Sequence, residues 1–273
     1  MFDFLPDGLL PEGLTLGTLL LVLVAGFAAG WIDAVVGGGG LIQLPALLLV
    51  PGMTPVQALA VNKVGSVFGT TTSAITFYRR ARPDLRTALP MAAVAFVGSF
   101  GGASLAASLP ASVFKPIVVV ALIAVGLFTA LKPSMGELTQ LRHSGSRHYV
   151  TAAVIGFVIG VYDGLIGPGT GSFLIIALVA ALGYDFLQAS AKAKVVNVAT
   201  NLGAILLFSL HGSVLWVFGI LLGLANMAGG YLGSRMAVAK GSRFIRVLFL
   251  GVVAVLIVKL GYDVWVENIQ PSL

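Results

Sequence analysis

The chain has 273 residues, of which 58% are hydrophobic and 10% charged, and a formal charge of +6. A soluble domain carries about 25% charged residues, so an ordinary water-facing surface is excluded, and the mean hydropathy of +1.03 makes lipid the natural solvent. No arginine-rich tail or basic stripe interleaved with aromatics points to nucleic acid, and the absence of cysteine removes disulfides and thiolate metal sites.

A full membrane crossing needs ~20 predominantly apolar residues. Apolar runs at 14–36, 58–77, 87–107, 113–131, 149–166, 189–210, 214–237 and 244–264 predict an all-α polytopic membrane protein with eight full spans. No basic residue precedes the first run, which therefore reads as a retained helix and not a cleaved leader. Two further runs, 41–50 and 172–183, are too short to cross. Ten helical residues rise only ~15 Å, so each should reach about half-way.

The two halves of the chain resemble each other. At an offset of 130, Gly26, Phe27, Gly30, Asp33, Gly37 and Gly39 match Gly156, Phe157, Gly160, Asp163, Gly167 and Gly169. One residue later in register, Gln57, Ala58, Ala60, Lys63, Val64 and Val67 match Gln188, Ala189, Ala191, Lys194, Val195 and Val198, and Gly98, Phe100 and Gly102 meet Gly229, Tyr231 and Gly233. Apolar composition alone does not align aspartates, lysines and glutamines. The expected organisation is a first repeat at 1–132, a linker at 133–148 and a second repeat at 149–273.

Loop charges orient these halves. Arg79, Arg80, Arg82 and Arg86 fill one loop, Lys132, Arg142 and Arg147 the linker, and Arg235, Lys240, Arg243 and Arg246 surround a third. All three should be cytoplasmic. The basic loop follows the second span of the first half but the third span of the second half, where the earlier position holds only His211 and Gly212. That exchange predicts inverted-topology repeats. Both acidic ends (Asp3, Asp7, Glu12; Asp263, Glu267) then lie outside the plasma (inner) membrane, with the linker inside.

Gly37, Gly38, Gly39 and Gly40, and the echo Gly167-Pro168-Gly169-Thr170-Gly171, cannot continue a regular helix. Each glycine costs ~1 kcal/mol of helix propensity and proline about 3. A break at membrane depth must be enclosed by protein or line a wet cavity, and the short helices beginning there would offer free N–H groups to an anion. Leading in, Gly26, Gly30, Asp33 and Gly37 share one face, as do Gly156, Gly160, Asp163 and Gly167. Asp33 and Asp163 are therefore expected to lock helices, or to couple transport as proton carriers or partners of a lysine.

Lys63 and Lys194 fall about five residues inside their spans, roughly 7 Å deep. Lys63, Ser66 and Thr70 form a polar stripe matched by Lys194, Asn197 and Asn201. Two such stripes, each headed by a cation, suit an oxyanion with several acceptor oxygens; snorkelling to the headgroups is the competing reading. Asn62, Asn226 and Gln43 serve equally well as interhelical hydrogen bonds. The paired Gly98/Gly102 and Gly229/Gly233 read as small-xxx-small packing. His143, His148 and His211 look isolated and loop-bound, so neither metal nor cofactor is expected.

The segments Asp33-Ala34-Val35-Val36-Gly37-Gly38-Gly39-Gly40 and Asp163-Gly164-Leu165-Ile166-Gly167-Pro168-Gly169, with Gln57-Ala58 leading to Lys63, resemble the sulfite exporter TauE/SafE family, also called the 4-toluene sulfonate uptake permease family. The resemblance covers essentially the whole chain. It implies an inner-membrane transporter of sulfur-containing anions such as sulfite, sulfoacetate or other organosulfonates, with a small anion and the bilayer as partners; homo-oligomerisation stays open. The leading expectation is a secondary transporter exporting such an oxyanion by alternating access. An anion channel, or an intramembrane aspartyl protease using two membrane aspartates, are the alternatives.

Overall fold

A computed structural model describes residues 10–107 and 139–268, and all their regular structure is helical. Local chemistry sets most boundaries. α1 (Leu16–Val36) starts where the Thr15 hydroxyl accepts the Thr18 amide at 3.1 Å, and stops where Gly37 turns left-handed at φ 80°. α2 (Gly40–Leu48) is nine residues long. α3 (Pro55–Ala81) opens on a capping box, in which the Thr54 hydroxyl accepts the Gln57 amide and the Gln57 side chain accepts the Thr54 amide. Asp84 caps α4 (Leu85–Ala106).

The long-then-short pattern recurs in α5 (Gly145–Leu165) and α6 (Thr170–Ala177), which runs on through a π-helical turn at Leu178–Leu182. Asp185 caps α7 (Phe186–Leu210) by accepting the Leu187 and Gln188 amides. The last helix, α8 (Trp216–Asn268), breaks at Gly241 (φ 72°, ψ −169°), so the predicted eighth span follows that kink as helical backbone. The predicted fourth span, 113–131, lies outside the described residues.

Among the described residues five helices are long and apolar enough to span: α1, α4, α5, α7 and Trp216–Ile245. α3, expected as the second span, has 27 residues but falls short in hydropathy. Its Asn62, Lys63, Thr70, Ser73 and Thr76 are buried against protein, so this helix faces its neighbours more than lipid.

α1 and α2 form a hairpin that returns towards the end from which it started. Leu14, Leu47 and Val50 share one apolar cluster, and a Cβ on Gly52 would fall 2.7 Å from the Glu12 carbonyl oxygen. α5 and α6 form a second hairpin, closed by the Gln140 amide on the Gly183 carbonyl (2.7 Å) and the Arg142 amide on the Leu182 carbonyl (3.1 Å). α3 crosses from one closed end to the other, because the Gln188 amide donates to the Ala81 carbonyl and Lys192 to the Asp84 carbonyl. The two hairpins therefore enter from opposite ends. The basic loops gather at the second: Arg79 and Arg80 share a pocket with Arg235, and Arg142 shares one with Asp84.

Pairing exchanges partners between the halves. α1 lies along α8 and α5 along α4, while α3 meets α8 and α7 meets α4. Glycines permit the approach: a Cβ on Gly30 would sit 2.1 Å from the Asn226 carbonyl oxygen, and one on Gly160 2.4 Å from that of Ala95. Gly98 and Gly102 meet Phe157 and Val161 in the same way, and Gly229 and Gly233 meet Phe27 and Trp31. Their spacing serves helix packing, as read from the sequence.

One sequence expectation is corrected at the basic end. His148 is not loop-bound: it lies in the first turn of α5, buried, with Nε2 3.0 Å from the Thr87 hydroxyl and 3.1 Å from that of Tyr184. The helix starts four residues ahead of the apolar run that marked it in the sequence. Nearby, partial burial pushes the Asp84 carboxyl up, but the Arg86 amide, the Thr87 hydroxyl and Lys192 outweigh it and hold the group below its ordinary value. A depressed folded-state pKa stabilises above the unfolded value and loses that effect as pH falls through the folded one. Asp84→Asn should therefore flatten the acid limb of thermal stability below about pH 4, measured against the unaltered chain; an unchanged limb would refute this.

Candidate functional site

The hairpin tips meet inside the protein. The Gly37 carbonyl accepts the Ser172 amide at 3.1 Å, and the Ser172 hydroxyl donates to the Val36 carbonyl at 2.9 Å. A Cβ on Gly37 would fall 2.3 Å from the Gly171 carbonyl carbon. The second tip is tied by the Tyr162 hydroxyl on the Pro168 carbonyl and the Thr170 hydroxyl on the Gly167 carbonyl, both 2.7 Å. Gly37, Gly167 and Gly169 all adopt positive φ (80°, 86° and 83°), which a β-carbon disfavours. Neither α2 nor α6 has a side-chain cap at its start.

Each tip is gripped by a lysine from the other half. Lys63 Nζ donates to the Asp163 carbonyl at 2.6 Å and lies 2.7 Å from its Oδ2. Lys194 Nζ donates to Asp33 Oδ2 at 2.9 Å and to the Asp33 carbonyl. The break explains one of these acceptors: the Gly167 amide bonds back to Tyr162, which leaves the Asp163 carbonyl for Lys63. Lys63 is 1% exposed and Lys194 0%, so neither snorkels. Both stand eight residues beyond their helix starts, about 12 Å along the axis, because Thr54 and Asp185 start the helices ahead of the apolar runs.

A polar cavity lies between the tips and the two lysine-bearing helices. It is lined by Asp33, Gly37, Gly40, Lys63, Ser66 and Thr70 from the first half, with Asn62, and by Asp163, Gly167, Gly169, Thr170, Gly171, Asn197 and Asn201 from the second. Of the break residues and lysine-headed stripes expected to face the anion, Gly38, Gly39 and Lys194 stay off its wall. Gly39 packs on α1, where a Cβ would lie 2.5 Å from the Ala29 carbonyl oxygen, and Lys194 is enclosed at Asp33. Gly167 and Gly171 also leave room for side chains, since a Cβ on either would sit 2.9 Å from Lys63 Nζ or Asn197 Nδ2 respectively.

Asn62, only a weak candidate in the sequence, belongs to a network joining α2, α3 and α8. The Gln43 side-chain amide donates to its carbonyl and Oδ1, each at 3.1 Å, and Asn226 donates to Gln43 Oε1 at 2.7 Å. A glutamine inside a half-membrane helix was the available signal. Asn197 is 5% exposed, yet its Oδ1 has no partner among the described residues. A buried polar atom without a partner on a cavity wall suits a ligand group or a water. Two lysines and two aspartates make the site formally neutral. Because each aspartate is paired with a lysine, they do not form the proton-sharing dyad a protease needs.

Residues 22–260 match the model of the family described as sulfite exporter TauE/SafE. The chain belongs to that family. Within it, the chain is 39% identical over 252 residues to "Probable membrane transporter protein ORF9" of Sinorhizobium sp., covering 92% of this chain and 95% of the relative. It is 38% identical over 250 residues to "Probable membrane transporter protein YfcA" of Escherichia coli, at 92% and 91% coverage. A "Probable membrane transporter protein" of Haemophilus influenzae is 34% identical over 245 residues, at 90% and 95%. No solved structure matches. The names of this family and of these relatives indicate membrane transporters, not enzymes, and the protease reading is set aside.

Proposed function

We propose that this TauE/SafE protein is a secondary transporter that exports a small sulfur-containing oxyanion, with the substrate seated between the two helix breaks. The observation that carries the reading is the crossed pairing of Lys63 with Asp163 and Lys194 with Asp33 beneath two touching, uncapped helix starts. Lysine ammonium, asparagine amides and free backbone N–H groups supply the donors that a tetrahedral oxyanion accepts from several sides. The two inverted halves, 1–132 and 149–273, then rock about this point to expose it alternately, with both termini outside the plasma membrane.

Site neutrality shapes the energetics. One negative charge leaving a cell that is negative inside gains ~2.3 kcal/mol per 100 mV, so export needs no coupled ion. Import does, and a proton on Asp33 or Asp163 both supplies it and frees a lysine for the substrate. Flux into proteoliposomes across sulfite, sulfonates, sulfate and carboxylates tests the substrate class; preference for carboxylates, or currents far above carrier turnover, would count against this reading. Asp163→Asn should lose pH-driven uptake while keeping counterflow, and unchanged pH dependence would remove the aspartate from coupling.

A further inference from the structure

We infer that the basic end of α3 and α8 carries a second anion site, distinct from the central cavity, that seats the phosphate headgroup of an anionic phospholipid. The two helices are in backbone contact at Gly69 and Gly230, where a Cβ on Gly230 would lie 2.7 Å from the Gly69 carbonyl oxygen, and the Ser73 hydroxyl donates to the Gly230 carbonyl at 3.2 Å. Beyond that point a pocket of about 300 Å³ opens between Thr72, Ile75, Thr76, Arg79 and Arg80 of α3 and Tyr231 and Arg235 of α8.

Three guanidinium groups share this pocket, and among the described residues no carboxylate lines it. Among the described residues none of the three is in an ion pair. Planar forks of donors match phosphate oxygens two at a time. Arg235 is held in place: its Nη1 donates to the Tyr231 hydroxyl at 2.9 Å, and the guanidinium lies 5.4 Å from that ring's centre. Tyr231 accepts this bond, so its own O–H proton remains a further donor. The threonines add none, because Thr72 and Thr76 already donate to the Phe68 and Thr72 carbonyls.

The rest of the pocket selects a lipid over a soluble anion. Ile75 and Tyr231 are 47% and 45% exposed, and Leu224 and Met227 continue the Tyr231 face of α8 at helical spacing, also exposed. A charged head with an apolar stripe running away from it is the outline of a phospholipid, and a basic pocket between helices at the cytoplasmic surface is where anionic headgroups collect. Arginines of the two halves, far apart in sequence, meet here, so an occupied headgroup would bridge α3 to α8.

Native mass spectrometry of the full chain in detergent tests this, titrated separately with phosphatidylglycerol, phosphatidylcholine and inorganic phosphate. Phosphatidylglycerol is expected to bind about tenfold tighter than phosphatidylcholine, and Arg79→Gln with Arg235→Gln to erase that preference. Equal binding of the two lipids, or a preference that survives in the double variant, overturns the proposal. Phosphate that displaces phosphatidylglycerol at millimolar concentration also overturns it, by making the occupant a soluble anion. If the variant fails to stay monodisperse, the comparison of lipids on the unaltered chain decides alone.

Discussion

Lys63→Met should abolish anion flux and cost about 3–5 kcal/mol of stability, the magnitude for removing one partner of a buried ion pair. The loss is large because Asp163 is only 4% exposed and Lys63 is its one ion-pair partner among the described residues. Its carbonyl, freed from the helix by the Gly167 turn, also loses the Lys63 donor. The pairing is separable from mere bulk. Adding Asp163→Leu to the same chain removes the stranded charge, and should recover at least half of the lost stability while leaving flux at zero. Unfolding of the unaltered chain, Lys63→Met, Asp163→Leu and the double variant in one detergent measures this as a double-mutant cycle. Additive losses would mean that the two side chains do not depend on each other, and the crossed pair would lose its role in holding the halves together.

The second large effect is expected at the point where the tips touch. Gly37→Ala places a methyl group at φ 80°, which costs roughly 1–2 kcal/mol, and drives it to within 2.3 Å of the Gly171 carbonyl carbon. Backbone on both sides cannot yield as a flexible side chain would, so overpacking adds about 1–3 kcal/mol. Gly212→Ala separates the two contributions, since Gly212 has φ 65° and nothing among the described residues lies within 4 Å of the place its methyl group would take. That control should show the backbone strain alone and retain transport. Equal losses of melting temperature in the two variants would argue that the tips are looser than this contact implies.

Several features were legible because they are local. Glycine and proline lower helix propensity wherever they stand, so the breaks at 37–40 and 167–171 follow from the sequence alone, and so does the shortness of the two helices that start there. Self-similarity paired Asp33 with Asp163 and Lys63 with Lys194. It left open whether each lysine served the aspartate of its own half or of the other. Both choices preserve the repeat, and the answer depends on which hairpin tip faces which long helix. Hydropathy likewise read α3 as an ordinary apolar span, although its polar residues are buried against other helices, and placed His148 in a loop because the apolar run begins one residue after it; the Thr87 and Tyr184 hydroxyls that enclose it come from elsewhere in the chain.

Composition and the placement of glycine and proline alone determined a membrane-embedded helical protein with two interrupted helices and a short set of candidate polar residues, since each of these depends on the residue types within one stretch of chain. Only the tertiary structure decided that Lys63 reaches across 100 positions to Asp163, and Lys194 across 161 to Asp33. Contacts at such separations arise from how hairpins entering from opposite ends pack tip to tip. A desolvated charge must find a partner there, and the fold determines which one is within reach.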